Sequence, residues 1–214
     1  RLIITFIILI FGIEIVHAAI PVAPNRTEGD GPYSQLILRG VNVIDGTGAP
    51  AYGPADVVIE GNRIINIVIV GYANSPIDES KRPKLKAGGR EMDLKGRYVM
   101  PGLIDMHGHI GGVEQGTTAE YVYKLWLAHG ITTIREPGCG NGVDFCVSEQ
   151  ARSASNQISA PRIYPYVFFG MGRDTPFTTP EQARQWVREM KSKGAAGIKC
   201  FGYQIMLYGI RMYV

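Results

Sequence analysis

Two histidines one residue apart are the first place in this sequence where chemistry could happen. His107 and His109 stand in Pro101-Gly102-Leu103-Ile104-Asp105-Met106-His107-Gly108-His109. Side chains alternate along a strand, so an H-x-H at a strand end turns both imidazoles to one face. Imidazoles so placed suit a shared divalent ion such as zinc, iron or nickel. A bare H-x-H also leaves open a pair of surface loop histidines. Gly108 leaves room for neighbouring backbone. Asp105 falls on the same face, one layer deeper. A buried carboxylate needs partners. Two roles are open to it: orienting a histidine, or accepting hydrogen bonds at the strand end.

Lys199, in Gly197-Ile198-Lys199-Cys200-Phe201, is the second candidate. Ile198 and Cys200 share one strand face and Lys199 takes the other. Burying a charged amine is costly. An inward Lys199 needs a counter-ion or else stays neutral, whereas a Lys199 reaching solvent could pair with Glu136 or Asp174. A neutral amine can take up carbon dioxide as a carbamate, whose two oxygens can ligate metals. A lysine reaching solvent at the strand end competes with both. Arg135, Glu136, Arg173 and Asp174 sit near strand ends where substrate-contacting loops could lie, and read as solvated loop charges. His129 closes a helix away from the strand C-termini and is not expected to ligate. Gly138, Gly140 and Gly142 around Cys139 lack the lysine of a phosphate-binding loop, so nucleotide binding is not expected.

These residues must be held by the elements around them. Residues 34–97 predict a small β domain. Leu36–Leu38, Val41–Ile44, Asp56–Glu60 and Arg63–Val68 are strand-like, and Gly61-Asn62 is a hairpin turn. Asp45-Gly46-Thr47-Gly48 is turn chemistry. The basic stretch from Lys81 to Arg90 reads as a solvated loop, with one more strand near Glu91–Leu94. From residue 98 the pattern alternates. Val99–His109, Ile131–Ile134, Arg162–Phe169 and Ala195–Phe201 read as strands. Helices are expected over Thr117–His129, Val143–Gln157 and from Thr179 to Gly194. The first has a Thr117/Glu120 capping box and a Val122, Leu125, Trp126 face. The last has Pro180 at its first position, Gln182 completing a box, and Ala183, Trp186, Val187 and Met190 on one face. Strand–helix–strand repeats imply parallel β with covering helices. Four strands and three helices make half of a (β/α)8 barrel or most of an open doubly wound sheet.

Composition narrows the class. The 214 residues are 45% hydrophobic and 19% charged, which excludes a disordered chain. Twenty-two Lys and Arg against nineteen Asp and Glu give a net charge of +3, too mild to argue for nucleic acid. Three cysteines exclude a disulfide scaffold. Leu2–Ile13 is apolar, and Val16-His17-Ala18 precedes a cut ahead of Ala19, so residues 1–18 are expected to be a signal peptide. A membrane anchor is the alternative. Export to a secreted or periplasmic location follows, with membrane contact only through that segment. Residues 19–33 read as a linker. Residues 203–214 carry no acid and no polar face, and read as a truncated or frame-shifted end beyond about 202, a buried terminal strand being the alternative.

PGLIDMHGH, preceded by VIDGTG and DVVIEGNRI, resembles the metal-dependent amidohydrolase superfamily. ITTIREPG and GAAGIKCF resemble the second- and fourth-strand segments of its prolidase-like and imidazolonepropionase-like members. The resemblance runs from about Leu36 to Phe201. It implies an α/β fold: the N-terminal half of a (β/α)8 TIM-like barrel, residues 98–214, preceded by part of a small β-sandwich domain. It implies one or two divalent metals, zinc foremost, held by His107, His109 and a carbamylated Lys199. It implies water activated for attack on an amide, cyclic amide or peptide-like carbonyl, with small-molecule or peptide-like substrates. The family's later histidines and its last aspartate have no counterpart, since neither residue type occurs after Lys199. An incomplete, inactive fragment is therefore expected. A non-catalytic metal-binding or interaction protein is the alternative, and an open-sheet binding protein with an incidental H-x-H a third. Half a barrel exposes strand edges, so pairing with another chain, including a second copy, is also expected.

Overall fold

Alternating apolar residues at Gln35–Val43 and Tyr52–Glu60 build the first sheet. The computed structural model describes residues 21–112 and 115–200. The expected signal peptide and the 203–214 segment lie outside them. Strands β1 (Gln35–Val43), β2 (Tyr52–Glu60), β3 (Arg63–Ile69), β4 (Arg90–Asp93) and β5 (Tyr98–Val99) form one five-stranded sheet. β2 and β3 make the hairpin expected at Gly61-Asn62, and both β4 and β5 pair parallel to β1. Val41, Val43, Ala55 and Val57 form its core. The two runs read as separate strands are one, because β1 stays paired with β2 across a shift in register between Leu38 and Val41.

The second sheet is parallel, in the order β6 (Leu103–Asp105), β7 (Ile131–Gly138), β8 (Arg162–Phe168), β9 (Gly197–Lys199). Helices α1 (Ala119–Ala128), α2 (Val143–Ala154) and α3 (Pro180–Ser192) connect successive strands. Ile134, Ile163 and Val167 point from the strands into a core with Tyr123, Cys146, Ala183, Trp186 and Met190 from the helices. This is a β/α unit of the kind that builds a parallel barrel.

Several sequence expectations shift in the structure. Val99–His109 is not one strand. Pro101 lacks the N–H a ladder needs, so β5 joins the first sheet, β6 opens the second, and the chain turns at Met106–His107. The α1 cap is Thr118, whose hydroxyl accepts from the Tyr121 amide, one residue later than expected. Its inward residues are Ala119 and Tyr123 with Trp126 packed against them, while Leu125 is exposed. The expected α3 cap is present: Thr179 accepts from the Gln182 amide, while the Gln182 side chain returns to Thr178. The basic stretch at 81–90 is not wholly solvated. Arg82 turns inward to the buried Asp56. The 19–33 stretch is anchored where described: Ala23 is buried, Arg152 donates to its carbonyl at 2.6 Å, and the Arg26 amide donates to Gln157 at 2.7 Å.

Candidate metal centre

Strand β6 ends at Asp105, and the H-x-H lies just past it. The Asp105 carboxylate accepts the His107 backbone N–H at 2.8 Å, an Asx turn. Its bond thus goes to a strand-end amide, the second of its two open roles. The two histidine rings meet edge to face with centroids 5.3 Å apart. They converge through this turn, not through strand alternation.

Gly108 sits between them for a reason other than backbone clearance. A Cβ at this position would lie 2.6 Å from Trp126 Cζ2 and 3.2 Å from Asp105 Oδ2. The indole of α1 is therefore the surface on which the turn rests.

Strand β7 holds the turn from the other side with two consecutive residues. Arg135 Nε donates to the Met106 carbonyl at 2.7 Å, and the Arg135 carbonyl accepts the Gly108 amide at 3.1 Å. Glu136 Oε1 lies 2.9 Å from His109 Nδ1, and Oε2 accepts the Ile110 amide at 2.6 Å. Glu136 is only 2% exposed, so the reading of a solvated loop charge is corrected. The strand runs on through Gly138, and Glu136 has the parity of the buried Ile134. That parity was the available signal. Arg135, on the opposite face, lies over the Tyr166 ring at 5.3 Å.

Lys199 at the end of β9 reaches this cluster. Its Nζ stands 3.4 Å from His107 Nε2 and 5.7 Å from the centre of the Phe168 ring. His129 is elsewhere: its Nδ1 lies 2.8 Å from the Leu125 carbonyl at the end of α1.

The donor set fits a divalent ion. With the Glu136 carboxylate at His109 Nδ1, Nε2 is the ring nitrogen turned away from it. His107 Nε2 and Lys199 Nζ face one another beside it. Among the described residues no three His, Cys, Asp and Glu side chains gather as a ligand set. The further polar group that stands beside the two imidazoles is the Lys199 amine.

Behind the site lies a buried polar group of a different kind. The Cys146 thiol is held up by its hydrogen bond with Cys139 and by burial. Tyr123 is likewise pushed up by burial and by the nearby Glu149 carboxylate.

No protein-family model matches the chain. It is 47% identical over 93 residues to adenine deaminase of Methanoculleus marisnigri, covering 40% of this chain and 18% of that protein. It is 25% identical over 180 residues to dihydroorotase of Thermoanaerobacter sp., covering 82% of this chain and 37% of that protein. The crystal structure of a prolidase-like protein from Bifidobacterium longum superposes with a TM-score of 0.57 at 25% identity, over 79% of this chain and 41% of that one. The chain thus spans well under half the length of each of these. The relatives differ in the substrates they are named for and are all members of the amidohydrolase superfamily, the family this chain is similar to.

Proposed function

We propose that this chain supplies part of a metal-dependent hydrolytic centre for C–N bonds in small amide, cyclic amide or peptide-like substrates. One observation carries the reading: the H-x-H turn, clamped by β7, faces Lys199 across the end of the parallel sheet. The names of the relatives, a deaminase and a dihydroorotase among them, support the bond type.

His107 and His109 would hold the ion through Nε2, with Lys199 as third donor. When bound, such an ion polarises a carbonyl and lowers the pKa of water. The chain's own part is positional. Trp126 and Asp105 hold the turn from below, Arg135 and Glu136 from β7. Lys199 as a free ammonium would repel a cation. As a carbamate, formed when its neutral amine attacks carbon dioxide and releases a proton, it would present two oxygens.

Metal analysis after dialysis tests the reading. One equivalent or more of zinc or cobalt is expected in the protein and none in the His107→Ala/His109→Ala double variant. Equal metal in both would overturn it. The 214 residues by themselves are expected to bind metal without hydrolysing amides, because amide hydrolysis also needs a general base to take a proton from the attacking water and pass one to the leaving nitrogen. Amide turnover by this chain, lost in His107→Ala, would contradict that expectation. For localisation, the apolar 1–18 segment supports export, and N-terminal sequencing of the mature protein tests it.

A further inference from the structure

We propose that Glu136 is the positioning residue that sets the tautomer of His109, so that Nδ1 carries the hydrogen and Nε2 presents its lone pair. This rests on the metal-centre reading for its purpose, but the tautomer itself is a property of the metal-free chain. A neutral imidazole has one N–H and one lone pair, and its partner decides which nitrogen has which. His109 Nδ1 lies 2.9 Å from Glu136 Oε1. An ionised carboxylate only accepts.

Glu136 cannot turn away from this role. Oε1 also accepts the Cys139 amide at 3.1 Å, and Oε2 accepts the Ile110 amide at 2.6 Å. The three donors come from the H-x-H side chain, the residue after it and the loop leaving β7. With the carboxylate buried, any rotation strands a backbone N–H without water to replace the bond. The same carboxylate therefore locks the ring, the backbone past it and the start of the next loop in one arrangement. Arg135 fixes the other side of the turn through the Met106 carbonyl.

Glu136→Gln exposes this logic, because one oxygen becomes an NH2 group. If the amide oxygen stays on His109 and Cys139, the NH2 meets the Ile110 N–H. If the amide turns over, the NH2 faces His109 Nδ1 and drives the ring to the Nε2–H form, whose lone pair lies on Nδ1 and not on Nε2. Neither orientation serves all three donors.

The test is nitrogen-15 NMR of the imidazoles in metal-free protein at about pH 8.5, where an ordinary imidazole is neutral. His107 serves as internal comparison and zinc affinity is measured alongside. The wild-type chain is expected to show His109 protonated at Nδ1. Glu136→Gln is expected to populate the Nε2–H form and to bind zinc about 10- to 100-fold more weakly, with unchanged circular dichroism. A wild-type His109 protonated at Nε2 would overturn the proposal, as would a Gln variant with unaltered tautomer and affinity. Should the variant not fold, the wild-type spectrum decides alone. Should the wild-type chain bind no zinc, the metal-centre reading fails, and the tautomer measurement still decides the role of Glu136.

Discussion

Replacing Asp56 should be among the most damaging single changes in the first sheet. Its side chain is fully buried in β2 and accepts four hydrogen bonds. Arg39 Nη1 donates at 2.8 Å, Arg82 Nε and Nη2 at 3.1 and 3.3 Å, and the Gly40 amide at 2.8 Å. Breaking a buried ion pair by removing one partner costs about 3–5 kcal/mol. Here the low end applies, because the guanidinium groups keep other partners. Arg39 retains Glu91 at 2.7 Å and the Pro83 carbonyl at 2.9 Å, and Arg82 retains Glu79 at 3.4 Å. Asp56→Ala is therefore expected to cost ~3 kcal/mol. For a chain of this size that lowers Tm by about 6–12 °C.

The pH dependence has a definite sign. Burial by itself would raise the Asp56 pKa, but the Arg82 and Arg39 guanidinium groups and the Gly40 amide outweigh it and hold the carboxyl below its usual range. A carboxylate with a depressed folded pKa contributes stability above its unfolded value, near ~4, and loses it as pH falls through the folded value. The stability gap between wild type and Asp56→Asn should be constant from about pH 8 to 5 and narrow below about 4. Urea unfolding followed by far-UV circular dichroism measures it. Trp126 and Trp186 both belong to the parallel sheet's helices, so their fluorescence reports the other sheet. A gap below ~1 kcal/mol at pH 7 would refute the argument, since it would place Asp56 in the range of exposed ion pairs.

Gly108→Ala should displace the H-x-H turn or Trp126 and cost about 1–3 kcal/mol, with weaker zinc binding. Unchanged stability and zinc affinity would show that the indole does not back the turn. Arg152→Ala leaves the buried Glu149 carboxylate without its 2.6 Å partner and removes the bonds to Ala23 and Asn25. Trypsin should then cut after Arg26 several-fold faster, and an unaltered rate would contradict the anchoring role. Cys139 and Cys146 are buried, and the Cys146 thiol is pushed up by Cys139 and by burial. Both should react with a thiol reagent only on unfolding, and fast labelling of either in the native state would count against the fold.

Local sequence patterns determined most of the elements in this protein. Hairpin chemistry at Gly61-Asn62, the Thr179-Pro180 helix start and the parallel β/α alternation depend on residues within a few positions of one another, so they are readable without a fold. His107, His109 and Lys199 were also legible, because their types and their places at strand ends restrict what they can do. Only the tertiary structure decided how they meet. The H-x-H converges through a turn resting on Trp126, a helix residue that no periodicity connects to Gly108. Glu136 looked like a loop charge because a carboxylate near a strand end is usually solvated. Its burial depends on three donors from separate segments closing around it. Asp56 is the same case in the first sheet, since its partners Arg39 and Arg82 are 17 and 26 residues away in sequence. Spacing along a chain reports which face a side chain takes. Whether that face is wet, and what stands opposite, is set by segments distant in sequence and near in space.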